Sequence, residues 1–256
     1  MIHNAINFIS GASAAGTIEL TVAKASQYSK LPTKDRKIAT MLDLYRRSMR
    51  TMPINMIGGG SFFTAWEMGH PALGVVTGMN SFLADLIVGG FSNVVSSTLV
   101  RPVGVLVTSG PKALRKAPAT SIYAGFFDQL KWSVPASGVN QASFACSMKT
   151  LYGLGLAQGG GYLPSMACSG LISATVTHAT VGTARQFAQY VAHTRAVKVP
   201  GDAVKLWELW RQWLCDADER AEWVSDWKRE AATVATGGFT YGLVRSSLRG
   251  ALGMRR

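Results

Sequence analysis

The chain has 256 residues, 48% of them apolar and only 16% charged, with a mean hydropathy of +0.16; soluble domains carry roughly 25% charged residues. So little charge together with seven Trp excludes a disordered chain, the 27 Gly follow no triplet period and exclude collagen, and Cys146, Cys168 and Cys215 stand too far apart for a zinc ribbon or a disulfide framework. The composition is that of a membrane protein, and the net charge of +12 must be placed along the chain before it is read as nucleic-acid binding.

Seven Lys/Arg lie between Lys30 and Arg50, four between Lys112 and Lys131 and eight between Arg185 and Arg229, whereas 51–66, 86–100 and 150–184 carry no formal charge. That alternation argues against a nucleic-acid face and for charged loops between spans. In chain order, six membrane helices are predicted at about 4–30, 52–70, 82–109, 132–152, 163–192 and 229–250. The uncharged runs are short against the roughly 20 apolar residues of a lipid-facing helix, so buried helices of a soluble protein are the alternative. Small residues in Gly11–Gly16, Gly58–Ser61 and Ala167–Gly170 favour closely packed membrane helices. The dense cation clusters follow the first, third and fifth helices, while 70–81 and 152–162 are uncharged, so the charged loops share one side and both termini lie opposite. The first sixteen residues have neither a basic n-region nor an Arg-rich presequence, so targeting is expected to be internal.

An odd helix, a charged loop and an even helix recur three times. The ends of the odd helices align as Ala25–Lys30, Pro102–Val107 and Thr180–Arg185, spaced 77 and 78 residues apart. The even helices align as Trp66-Glu67-x-x-His70, Ala145-Cys146-x-x-Lys149 and Tyr241-Gly242-x-x-Arg245. Here the residues resemble the mitochondrial carrier family, in which three tandem helix pairs carry Pro-x-Asp/Glu-x-x-Lys/Arg on odd helices and Phe/Tyr-Asp/Glu-x-x-Lys/Arg on even ones. Lys30, Pro102 and Arg185, with Gln189 four residues on, are the remnants of the first motif, and Glu67, His70, Lys149, Tyr241 and Arg245 those of the second. The resemblance implies an all-α membrane protein, a pseudo-threefold bundle of six transmembrane helices in three tandem helix-pair repeats, about 1–72, 73–156 and 157–256. The third repeat is lengthened by an insertion at about 200–228, which holds five of the seven Trp.

What the resemblance implies for mechanism turns on the departures. In the family, acids and bases of the odd motif shut the matrix side and those of the even motif the opposite side. Here Gln27, Gly104 and Gly182 stand where the odd acids belong, leaving Lys30 and Arg185 without a counter-charge. On the opposite side only Glu67 is acidic, facing Lys149, Arg245 and His70; helix-end snorkelling is the alternative role for these charges. Counting twelve residues back from the even-motif acid positions gives Asn55, Val134 and Glu230 as contact points, which do not converge on an Arg or Lys pattern for an anionic substrate. The expected reading is lost transport.

The insertion offers a partner interface, with Trp207, Trp210 and Leu214 at helical spacing on one face and Trp213 beside them; an amphipathic helix packed on its own bundle and headgroups is the alternative. Lys34, Arg36, Lys37, Arg46 and Arg47 are candidates for lipid binding, with cardiolipin the family-based expectation. Gly153–Gly159 is a near miss to a dinucleotide loop with no strand before it, His3, His70, His178 and His193 have no metal-ligand spacing, and no GxSxG occurs, so neither catalysis, a metal nor a cofactor is expected. The sequence is therefore read as a carrier-like accessory subunit of a respiratory-chain complex of the mitochondrial inner membrane, with complex IV, the cytochrome c oxidase complex, as the first host and the termini toward the intermembrane space. A working carrier with hydrogen-bonded gates is the second reading, and a Gly-rich import-channel subunit of four helices the third.

Overall fold

A computed structural model describes residues 2–77, 81–197 and 206–254; 200–205, the start of the predicted insertion, lie outside them. Among the described residues the chain is helical and contains no strand. The first rod is α1 (Ile2–Ile18), a π-helical turn (Glu19–Ala23) and α2 (Lys24–Ser29). There follow α3 (Ile38–Thr77), α4 (Ser81–Lys116), the single turn α5 (Ala119–Ile122) and α6 (Phe126–Gly153). The fifth rod is α7 (Tyr162–Thr177), a second π-helical turn (His178–Gly182) and α8 (Thr183–Val197), and the chain ends with α9 (Leu206–Cys215) and α10 (Ala217–Ala251).

Helix α3 starts fourteen residues before the predicted 52, because the cation-rich segment 38–51 is itself a good helix former with an Asp43–Arg47 ion pair of 2.7 Å at i,i+4. Helix α10 likewise begins well before 229: Asp216 caps it by accepting from the backbone N–H groups of Asp218 and Glu219 at 2.9 and 3.2 Å. The predicted end of the third span at 109 coincides with a true break, since Gly110 adopts φ 82° and ψ 171° ahead of Pro111. Among the described residues, α4 is the one helix both long and apolar enough by composition to cross a bilayer. The π-helical turns divide the first and fifth rods, and the other long helices carry more polar groups.

Helix α1 packs on α3, α3 on α4, α4 on α6, α6 on α7, α7 on α10, and α10 returns to α1, so six rods close a ring in chain order. The tightest crossings fall inside successive helix pairs. A Cβ at Gly11 would stand 2.5 Å from the Gly59 carbonyl oxygen, one at Gly89 2.8 Å from that of Ser137, and one at Gly170 2.7 Å from that of Val234. Glycine at each lets two backbones touch. Many of the fully buried positions are small or polar, and several large apolar side chains face outward. Apart from Leu209, the largest side chains under 2% exposed are His178, Asp85 and the serines Ser10, Ser48, Ser92, Ser169 and Ser173, whereas Phe82, Phe91, Leu99, Leu171, Ile172 and Leu243 point outward. Ser10 and Ser92 satisfy their hydroxyls on the carbonyls of Ile6 and Val88, both at 2.7 Å.

Candidate functional site

The ring has a termini end, where α1, α4 and α7 begin and α3, α6 and α10 finish, and a loop end where the odd rods finish. At the termini end Arg245 pairs with Glu67 at 2.8 Å, both about four-fifths buried, and the Tyr241 hydroxyl donates to the same carboxylate at 3.1 Å. Tyr241 stacks on Phe63 with centroids 4.2 Å apart, which fixes the donor beside its acceptor. Lys149 and His70 do not reach Glu67 as expected. Both turn to Asp85, a carboxylate at the start of α4 that lies outside both sequence motifs: His70 Nε2 lies 2.9 Å from Oδ1 without hydrogen-bonding it, and Lys149 Nζ donates to Oδ2 at 3.5 Å. A lone acid beside the uncharged run 86–100 was the available signal.

The loop end is organised differently. Lys30 sits exposed at the end of α2, Pro102 is half-buried within α4, Gln189 is exposed, and neither Lys30 nor Arg185 makes an ion pair among the described residues. Their places are taken by Lys24, Arg101 and His178, which the motif alignment passed over although they stand 77 residues apart in turn. Each is held within its own helix pair. Lys24 bonds Glu19 at 3.0 Å and Gln27 at 2.9 Å, and Glu19 also accepts from Asn55 of α3 at 3.1 Å. The π-helical turn brings residues five apart into register, which is what lets Glu19 meet Lys24. Arg101 donates to the Ala124 carbonyl at 2.7 Å and to Gln129 of α6 at 2.9 Å, and its guanidinium lies 5.2 Å from the centre of the Phe126 ring. His178 bonds Glu230 and the Trp223 carbonyl of α10 at 3.1 and 3.0 Å.

Between the ends lies a cavity of about 380 Å³ bordered by Phe62, Trp66, Asn93, Asn140, Gln141 and Glu230; among the described residues Glu230 is the one formally charged residue on its wall. Of the three expected contact points only Glu230 reaches this cavity. Asn55 is committed to Glu19, and Val134 packs against Gly90.

The insertion corrects another expectation. Leu209 and Trp213 are buried, and Trp210 and Trp213 pack on Phe187 of α8 with centroids 4.8 and 6.0 Å away. Trp213 Nε1 donates to Glu219 at 3.2 Å. Trp210 and Trp213 therefore bind the helix to its own chain, leaving Trp207 and Leu214 exposed. Of the lipid candidates, Lys34, Lys37 and Arg46 are exposed, Arg47 is paired with Asp43, and Arg36 caps α2 by donating to the carbonyls of Ser29 and Leu31 at 2.6 and 2.9 Å. Comparison with protein-family models, with curated proteins and with solved structures finds no match.

Proposed function

We propose that the chain is a carrier-like bundle of six membrane helices that has lost transport and serves as a non-catalytic structural subunit of a respiratory-chain complex in the mitochondrial inner membrane. The observation that carries this reading is the distribution of ion pairs. Among the described residues, the ion pair joining different helix pairs, Glu67–Arg245, lies at the termini end, where His70 also faces Asp85, while the ion pairs at the loop end are local to one helix or one pair. Alternating access needs a latch at each end that can form as the other breaks. A ring with one latch has one stable state, which suits a scaffold.

The membrane assignment is supported by apolar side chains outside the ring and serines, Asp85 and His178 inside it. Mitochondria and complex IV as first host come from the carrier resemblance alone. In that frame the termini end faces the intermembrane space, the cationic loop end faces the matrix, and Lys34, Lys37 and Arg46 are available to cardiolipin. Exposed Trp207 and Leu214 are the remaining contact for a neighbouring subunit. Blue-native electrophoresis of the tagged chain tests the reading: it should migrate with a very large complex, and migration as a free species near its own mass would refute it. The cavity of about 380 Å³ favours a second reading, a carrier gated by hydrogen bonds; it requires solute exchange by the purified chain in liposomes.

A further inference from the structure

His178 is fully buried, and each of its ring nitrogens faces an acceptor. Nε2 lies 3.0 Å from the Trp223 carbonyl oxygen and Nδ1 lies 3.1 Å from Glu230 Oε2. The Trp223 carbonyl can only accept, so satisfying that contact requires a proton on Nε2. A neutral imidazole has one N–H, which leaves Nδ1 as a bare lone pair opposite a carboxylate that also only accepts. That contact becomes a hydrogen bond only with one more proton, on Nδ1 as an imidazolium or on Oε2 as a carboxylic acid. Without it two acceptor atoms would face each other at 3.1 Å beside a fully buried ring, leaving Nδ1 with no donor.

We propose that His178 and Glu230 hold one proton between them, forming a buried proton-binding site in the wall of the central cavity, and that this proton fastens the first half of α10 to the fifth rod. The surroundings are built for it. A Cβ at position 182 would stand 2.9 Å from Nδ1, so Gly182 leaves the ring its place. The Trp223 ring lies 4.7 Å from the imidazole at 57°, within the range where an aromatic ring attracts a cation. Glu230 is one-third exposed and borders the cavity, which gives the proton a route. The next acid on α10, Asp226, is already committed to Gln186 at 3.2 Å and Arg229 at 3.0 Å. The same seam is also closed by Trp223 Nε1 donating to Thr183 at 3.0 Å and Trp227 Nε1 donating to Thr175 at 3.1 Å, neither of which needs an added proton.

Glu230→Gln separates the proton from the contact, because the Gln amide donates to Nδ1 while Nε2–H still donates to Trp223, satisfying every group with no added proton. The full chain in lipid nanodiscs, labelled with 15N-histidine, gives the readout, with His178→Leu assigning the signal and exposed His193 as internal reference. The wild type should show either both His178 nitrogens protonated or a carboxylic-acid infrared band that Glu230→Gln removes; either ring nitrogen unprotonated with no such band would overturn the proposal, and this holds even if the Gln variant fails to fold. Hydrogen exchange over 217–230 should rise in His178→Leu and keep the wild-type rate in Glu230→Gln. Equal acceleration in both would refute the fastening role. None of these outcomes depends on the host complex.

Discussion

At the scale of the residue, the latch at the termini end was legible in half. Glu67, Tyr241 and Arg245 stood out because the even-helix motif keeps their spacing, and the structure joins all three. Asp85 did not, because it comes from an odd helix and no motif position points to it. Lys24, Arg101 and His178 escaped for a different reason: the alignment was anchored on the motif prolines and bases, one or two residues further along, although the 77-residue spacing was there to count. Burial makes the Glu67 carboxylate costly to remove, since Arg245 would keep its charge with no partner. Glu67→Ala should therefore lower stability by about 2 kcal/mol, read as a fall in thermal midpoint in lipid nanodiscs. The double exchange Glu67→Arg with Arg245→Glu should recover most of it, and a double variant no better than the single would count against the pairing.

Among the elements, the small-residue segments were the best guide, because a crossing that needs two touching backbones leaves few choices of residue. Gly11, Gly59 and Gly170 occupy the seams that composition suggested. Helices α3 and α10 run beyond the expected spans because charged side chains on an exposed helix cost nothing, so charge marks the end of an apolar span and not the end of a helix. The π-helical turns had no signal, as any residue can occupy them and only the ring decides where a rod must shift register. Gly11→Ala should push α1 from α3 and cost about 1 to 3 kcal/mol. Gly104→Ala, with nothing within 4 Å of the new methyl group, should be neutral or raise stability by up to about 1 kcal/mol. Equal effects of the two substitutions on thermal midpoint would show that the crossing is not what the glycine serves. Within the hairpin, Trp213→Ala should cost about 3 kcal/mol, because its ring is buried against the chain itself, whereas Trp207→Ala should leave the isolated protein unchanged and weaken co-migration with the large complex.

For the whole molecule, tripartite order and short uncharged connections were enough to anticipate six rods, and the resemblance a closed bundle; which side chains pair across it came only from the structure. Sequence could count acids and bases at each end, but could not say that Lys24, Arg101 and His178 are each held within their own helix pair. In the proposed reading, this leaves the ring a latch at the termini end only. Spin labels at positions 30 and 185, on a cysteine-free background in lipid, report directly on the loop end. Pulsed dipolar spectroscopy should give a single distance population that added metabolites do not shift. Two interconverting populations, or a shift toward a closed loop end, would contradict a static scaffold.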